Sequence, residues 1–398
     1  MRNGEIAEMD FAARLSELKK AHLHRSVYTF CSPQGREAEV NGKRVLVFSS
    51  NNYLGLAQDP VIKQKATAAL ERFGVGTGSS RLVAGNMTPH MELEALLASF
   101  KGTEAALVFT SGYTANVGVI SALCDRDSVI FSDALNHASI IDGCRLSKAK
   151  TVVYAHNDPD DLLQKIRETC PGKGLIVTDG VFSMDGDIAH LPELARISRE
   201  HKLLLMVDDA HATGVLGETG RGTLEHFGLG PDAVDVVMGT LSKAIPSEGG
   251  FICGSRNLCE YVRNTARAFI YTTSPSPATV AAAAGGIEHI RDHPETVRRL
   301  QDNVRHFASR LRASGLPCAG ETPIVPVVVG GEALALRASE ELFNLGIFVP
   351  AIRYPTVAKG QARLRFALSA AHTHDDLDYA AACALAAIQS VDFFSPSC

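Results

Sequence analysis

The sequence predicts an α/β protein, with a large domain on a mainly parallel sheet and a smaller C-terminal α+β domain. Three observations predict it. Short apolar runs recur between residues 105 and 253, amphipathic helical stretches separate most of them, and past residue 285 the pattern changes to a long charged helix. Strands buried on both faces read as unbroken apolar runs, which is the signature of a parallel sheet covered by helices.

Taken in chain order, MRNGEIAEMDFAARLSELKK reads as a charged amphipathic helix without the apolar core of a secretory leader. A strand-rich approach follows, ending in RVLVFSSNNYLGL, so residues 1–50 form an N-terminal arm that joins the smaller domain. Residues 51–288 make the large domain. Thr88 is expected as an N-cap with Pro89 at N1, with Leu93, Leu96, Leu97 and Phe100 on one face and Gly102 at the end. Strands are expected at Ala105–Phe109, 128–131, 151–154, 174–178, 203–207, 234–238 and 250–253. Helices are expected after the Asp158-Pro159 cap and over Leu191–His201. Residues 289–398 make the small domain: a helix from His289 to Arg312, a β-rich stretch over 323–329, and a final alanine-rich helix.

Composition narrows the function. A chain of 398 residues suggests about two or three domains at roughly 100–200 residues each. With 45% apolar and 21% charged residues it can bury a large core, which excludes global disorder. There are 39 basic and 44 acidic residues, a net charge of −5, and no dense basic stripe. Nucleic-acid and anionic-membrane partners are therefore not expected. The nine cysteines are scattered and include no CxxC pair, which argues against a zinc ribbon or dithiol centre and for reduced thiols in a cytoplasmic protein. The longest helix-compatible apolar stretch, Tyr379 to Ile388, falls short of the roughly 20 residues a membrane span needs.

Some motifs fail. In GVGTGSS the third glycine comes one position early for a dinucleotide fingerprint, and the cluster follows a helix rather than a first strand. No P-loop or GxSxG elbow occurs. His372 and His374 lack an HExxH context and read as solvated loop histidines, so no metal is expected.

Four features belong together. The strand LLLMV runs into Asp208-Asp209-Ala210-His211. A carboxylate there can be a ligand at a sheet's carboxyl edge or the cap of a turn, and position alone leaves both open. VDVVMGT delivers Thr240-Leu241-Ser242-Lys243, followed by Gly249-Gly250. A lysine in a closed site has a lowered pKa and can bond an aldehyde. ALVFT leads into Ser111-Gly112-Tyr113-Thr114 and a helix, a turn whose free N–H groups suit an anion. Asn136-His137-Ala138-Ser139 follows SVIFSD. An anion cradle, a carboxylate, a lysine and an imidazole on one edge are the set that pyridoxal phosphate (PLP) requires.

The segments SSNNYLGLA, GTGSSRLVAGN, FTSGYTAN, NHASI, TDGVFSMDGD, VDDAHATGVLG, GRGTLEHFG, GTLSK, YTTSPSP and ARLRFALSAAH resemble those of the α-oxoamine synthases. These are PLP-dependent transferases of fold type I, aspartate aminotransferase-like, and the likeness runs from about Phe48 to His372. The resemblance implies that Lys243 bonds the cofactor aldehyde, Asp208 pairs with the pyridinium nitrogen, His211 bonds the phenolic oxygen and His137 stacks on the ring. It implies that Ser111, Gly112, Tyr113 and Thr240 hold the phosphate, that Thr272 reaches it from a neighbouring subunit of a homodimer, and that Ser183 lies beside the cofactor. Arg365 would grip the amino-acid carboxylate, with Asn51 near the substrate and Arg25 toward the acyl donor.

The implied reaction is a decarboxylative condensation of an amino acid with an acyl-CoA or acyl-carrier-protein thioester. The features split between subfamilies. SRLVAGN, HND, VFSMDGD and RYPTV lean toward 8-amino-7-oxononanoate synthases, the slightly favoured reading. GRGTLEHFG and GGFICG lean toward serine palmitoyltransferase-like and secondary-metabolism members, which use serine, glycine or alanine. After the lysine the chain reads Ala-Ile-Pro-Ser-Glu, where Pro246 stiffens the loop and Glu248 adds a charge near the site. An aminotransferase on the same fold is a more distant alternative.

Overall fold

The computed structural model describes residues 10–21 and 23–392. The first nine residues of the expected N-terminal helix lie outside them, as does Cys398. The described part of that helix is α1 (Phe11–Lys20), capped by Asp10, whose side chain accepts from the Ala13 N–H. Two short strands follow, β1 (Glu37–Val40) and β2 (Lys43–Val47), then α2 (Pro60–Phe73) and α3 (Thr88–Lys101).

From there strands and helices alternate: β3 (Ala105–Phe109), α4 (Gly112–Leu123), β4 (Val129–Asp133), α5 (Ala138–Ser147), β5 (Lys150–Tyr154), α6 (Pro159–Thr169), β6 (Gly174–Asp179), α7 (Leu191–His201), β7 (Leu204–Asp208), the short α8 (Thr223–His226), β8 (Val236–Thr240) and β9 (Gly250–Gly254). Several helices start where short polar side chains satisfy orphan N–H groups. Asp59, Ser111 and Asp158 each accept from the first turn of the helix they precede, an interaction generally contributing about 0.5–2 kcal/mol.

The seven strands order as β3-β9-β8-β7-β6-β4-β5. All neighbours are parallel except β9, which runs antiparallel to both β3 and β8. The carboxyl ends of β3, β4, β6, β7 and β8 therefore open onto one edge, and the amino end of β9 joins them there. Leu107, Ile130, Ile176, Leu205, Val236 and Ile252 are completely or almost completely buried along this sheet, and each such side chain contributes about 1.5–3 kcal/mol.

Helices α9 (Arg256–Thr265), α10 (Arg267–Ile270), α11 (Pro277–Asp292) and α12 (Pro294–Ala313) follow, then β10 (Ile324–Gly330), α13 (Glu332–Asn344), β11 (Ile347–Phe348), β12 (Ala351–Ile352), β13 (Ala362–Ala367) and α14 (His374–Asp392). Strands β10, β13 and β12 form an antiparallel sheet in that order. Strand β2 pairs in parallel with β11, so the N-terminal segment shares a small sheet with residues 347–348. Phe48, Phe307 and Phe366 meet in a second apolar cluster between these elements.

Three expectations need correcting. Thr88 is the first helical residue rather than the cap: Met87 holds that place, and its N–H donates to His90 Nδ1 at 3.2 Å. The helix expected from His289 to Arg312 is two helices, broken at His293, because Pro294 has no N–H to continue α11 and instead starts α12. His372 is not solvated. It is buried, stacked on Phe48 at 4.1 Å, with Nε2 3.1 Å from the Val47 carbonyl and Nδ1 accepting from the Ser369 N–H. His374 is exposed, as expected, but it opens α14 rather than lying in a loop, and its ring stacks on His306 at 4.1 Å.

Burial lowers the His372 pKa from 6.5 to about 4. Between those values the unfolded chain binds a proton that the folded chain refuses. This contribution to stability is thus complete above pH 6.5 and is lost as pH falls through about 4, amounting to about 3 kcal/mol. The urea midpoint should drop between pH 7 and 4.5, and drop less in His372→Gln. Equal drops would show that the imidazole is not the sensitive group.

Candidate active site

The shared sheet edge gathers side chains from five strand ends. Lys243, three residues past β8, places Nζ 2.9 Å from His211 Nε2, three residues past β7. His211 Nδ1 lies 2.7 Å from Tyr53 Oη, and the Tyr53 hydroxyl donates to Asn51 Oδ1 at 3.0 Å. The same Asn51 oxygen accepts from both terminal nitrogens of Arg365 at 3.4 Å, and Arg365 Nε donates to the Ser183 carbonyl at 2.5 Å. A polar chain thus runs from Lys243 through His211, Tyr53 and Asn51 to Arg365.

Asp208 closes β7. Its Oδ1 accepts from the Ala210 N–H at 2.9 Å and its Oδ2 from Asn116 Nδ2 at 2.7 Å. It caps its turn and faces the site, so the two readings of its position are compatible. Asn116 also donates to Ser139 Oγ at 2.8 Å, and Ser139 Oγ lies 2.7 Å from His137 Nδ1. His137 is exposed at this edge, and its backbone N–H donates to Asp179 Oδ2 at 2.9 Å.

The electrostatics favour an uncharged amine. Burial lowers Lys243 from 10.5 to about 8, with Arg365 reinforcing the fall and Asp208 and Asp179 opposing it. Burial, then Lys243 and Arg365, hold His211 well below the ordinary imidazole range. Burial and the neighbouring Asp208 push the Asp179 carboxyl well above the carboxylate range.

The anion turn is tightly built. Ser111 caps α4 and accepts from the Thr114 N–H, leaving the amides of Gly112 and Tyr113 at the start of α4 for a ligand. A Cβ on Gly250 would come within 2.5 Å of the Ser111 carbonyl and 2.6 Å of Gly112 Cα, and one on Gly112 would meet Thr240 at 3.4 Å. At position 250 only glycine lets these two backbones approach so closely. Thr240 Oγ1 lies 2.8 Å from Ser242 Oγ, adding a hydroxyl beside the turn. Tyr113 contributes backbone only, since its exposed hydroxyl bonds Asp142. Lysine, carboxylate, imidazoles and cradle all fit PLP, and Asn116 Oδ1 is buried without a partner beside Asp208.

Two expected residues lie elsewhere. Arg25 donates to Thr356 Oγ1 at 3.2 Å and lines a groove of about 630 Å³ with Lys19, Leu23, Tyr28 and Phe348. Thr356 also lines a smaller cavity of about 220 Å³ with Phe182, Ser183 and Arg363. Thr272 is half-buried on the segment between α10 and α11, where Thr273 bridges Ser80. Glu248 is exposed, while Pro246 packs against Gly286 of α11, so the unusual loop does not turn its charge inward.

Sequence reasoning missed Asn116, Tyr53, Ser139 and Asp179. All four stand inside motifs already singled out (FTSGYTAN, SSNNYLGLA, NHASI and TDGVFSMDGD), but which member of each faces the site depends on the packing of several strands. Among the described residues no cluster could hold a metal, and no helix is long and apolar enough to cross a membrane.

Fold and site together define a PLP-dependent transferase of fold type I. The model of the aminotransferase class I and II family matches residues 43–383. A chain from Desulfovibrio desulfuricans is 65% identical, covering 94% of this chain and 97% of its own. The 8-amino-7-oxononanoate synthase of Lysinibacillus sphaericus is 50% identical, covering 92% and 95%. The PLP-bound serine palmitoyltransferase from S. paucimobilis superposes with a TM-score of 0.91 at 32% identity, covering 96% and 98%. This chain belongs to the aminotransferase class I and II family and, within it, to the α-oxoamine synthases.

Proposed function

We propose that this enzyme condenses alanine with a pimeloyl thioester, releasing CO2 and thiol, as an 8-amino-7-oxononanoate synthase. The observation that carries the reading is the polar chain joining Lys243 to Arg365 through His211, Tyr53 and Asn51. Its two ends are an amine and a guanidinium fork, the pair of groups that an amino-acid substrate would meet. Relatives bearing that enzyme's name at 46–50% identity support the choice of substrates.

When bound, PLP supplies an aldehyde for amine capture and a ring that withdraws electrons from the amino-acid α-carbon. The Ser111–Gly112 turn and Thr240 would hold its phosphate, Asp208 would pair with its ring nitrogen, His211 would bond its phenolic oxygen, and His137 would stack on its ring. Arg365 grips the amino-acid carboxylate with its two terminal nitrogens, a bidentate geometry that also orients the α-carbon. Lys243 would take the α-proton and later return a proton to the same carbon, a role suited to an amine with a pKa near 8. The new carbon–carbon bond forms to the acyl carbonyl as the thiolate leaves. CO2 then departs from the carboxylate that came in with the amino acid.

The acyl thioester occupies the Arg25 groove, and Thr356, shared between groove and inner cavity, marks the way to Ser183. The working unit is a homodimer. Val75, Val83 and Tyr271 are strongly exposed apolar residues on segments tied together by the Ser80–Thr273 bridge and the Ser274-to-Ser79 hydrogen bond. A second copy covering them would bring its Thr272 to the phosphate.

A matrix of glycine, alanine and serine against pimeloyl and palmitoyl thioesters, on CoA and on carrier protein, tests the reading. Thiol and CO2 release should be greatest with alanine and a pimeloyl thioester, and Arg25→Ala should raise the thioester KM about tenfold, as for one lost charge-assisted contact. Turnover confined to serine with palmitoyl thioester would instead select the serine palmitoyltransferase-like alternative.

A further inference from the structure

One strongly held histidine lies beside the site without belonging to its polar chain. His156, just past β5, has Nδ1 2.9 Å from Asp133 Oδ1 and Nε2 3.0 Å from Asp187 Oδ2. A neutral imidazole has a single N–H, so it would turn a lone pair toward one of these carboxylates. Both contacts are favourable only for the doubly protonated ring. Burial lowers its pKa, but Asp133 and Asp187 outweigh burial and lift it to about 10. Phe182 meets the ring edge-on at 4.4 Å.

Asn157 strengthens the cluster. Its backbone is left-handed (φ 54°), a conformation asparagine tolerates. Its N–H donates to Asp133 Oδ2 at 2.7 Å, its side-chain amide donates to the Ile188 carbonyl at 2.9 Å, and its Oδ1 accepts from the His190 N–H at 3.0 Å.

The cluster joins two pieces of the site. Asp133 ends β4 and starts the turn to His137, where it accepts from the Leu135 N–H at 2.8 Å. Asp187 lies on a hairpin closed by the Val181–Ile188 bridge and by the Phe182 N–H donating to the Asp187 carbonyl at 3.0 Å. The tip of this hairpin holds both arginines of β13. The Ser183 carbonyl accepts from Arg365, and Asp185 and the Met184 carbonyl accept from Arg363. At Gly186 (φ 74°) an added Cβ would fall 2.2 Å from the Ile324 carbonyl, so the hairpin is pressed onto β10. Contact with β10 fixes one side of the hairpin, and the His156 cluster fixes the other.

We propose that His156, bridging Asp133 and Asp187, is a positioning residue for amino-acid binding: it sets the hairpin whose Ser183 carbonyl aims Arg365. With Nε held by that carbonyl, the two terminal nitrogens of Arg365, each 3.4 Å from Asn51 Oδ1, are kept as a fixed fork that a substrate carboxylate would meet. The inference rests on the reading of Arg365 as the carboxylate ligand.

The test uses PLP-loaded enzyme, titrated with L-alanine and followed by the change in visible absorbance, with the thioester KM measured at saturating alanine. His156→Gln should weaken alanine binding tenfold to a hundredfold, about the cost of a misplacement near 1 Å, and leave PLP occupancy and thioester KM unchanged. Asp187→Asn, at a partly exposed position, should act the same way and covers the case in which His156→Gln fails to fold. A purely structural cluster would lower thermal stability and yield while the loaded fraction bound alanine normally, which would overturn the proposal. Arg365→Ala separates the two ideas. Wild-type alanine affinity in that variant would remove the Arg365 reading and this proposal with it. Loss there, with wild-type affinity in both cluster variants, would overturn this proposal alone.

Discussion

Lys243→Ala is expected to lose turnover by at least about 10⁴-fold, the upper end of what one positioned acid–base group supplies, and to lose the visible absorbance of covalently held PLP. In the proposed role of Lys243, two functions would vanish with one amine: the bond to the aldehyde and the proton transfer at the amino-acid α-carbon. The environment of Lys243 explains the size of the effect. Burial holds its pKa at about 8, so near neutral pH a useful fraction is uncharged and nucleophilic while its conjugate acid can still return a proton. His211 Nε2, 2.9 Å away and itself held well below the imidazole range, keeps the amine aimed without competing for its charge. Absorbance spectra and thiol-release assays on the purified variant check both losses. Normal activity in Lys243→Ala would remove the assignment of the active lysine.

Asp208→Asn is expected to keep PLP bound but lower kcat by about 10²- to 10³-fold. Removing one partner of a buried charge pair costs roughly 2–5 kcal/mol, and each 1.36 kcal/mol on the barrier is tenfold in rate. The substitution is nearly isosteric, and its amide oxygen can still accept from the Ala210 N–H or from Asn116. In the proposed role of Asp208, what disappears is the negative charge that would favour a protonated ring nitrogen and so the ring's pull on electrons. Steady-state kinetics with a parallel PLP-binding titration separate the outcomes. A fall in PLP affinity with kcat intact would assign Asp208 to cofactor retention rather than to electron withdrawal.

Much of this was legible in the residues because it is local chemistry. Pro159 after Asp158 and the apolar spacing of Leu191–His201 mark helices whose starts and ends follow from capping and periodicity. The apolar runs at Ala105–Phe109 and 250–253 mark strands, although they do not reveal that β9 runs against its neighbours. A strand's direction depends on the path of the connections, and here β9 follows β8 through a loop too short for a parallel crossover. His372 was misread for a related reason: in sequence it stands in a polar run, and only the approach of Phe48 and Val47, more than 300 residues away, buries it.

By itself the sequence determined the chemistry at the ends of the strands: the lysine after β8, the carboxylate at the end of β7, the imidazoles at 137 and 211, and the glycines around Ser111. These are residue types in fixed local order, and the parallel alternation of apolar runs already sends their strand ends to one edge. The tertiary structure alone decided which neighbours aim them. Asn116 reaches Asp208 from α4, Tyr53 and Asn51 carry the polar chain to Arg365, and Arg25 is placed on an outer groove against Thr356. Those pairings cross from tens of residues to more than 300, and distances of about 3 Å between segments so far apart arise only when the packed core fixes every element relative to the others.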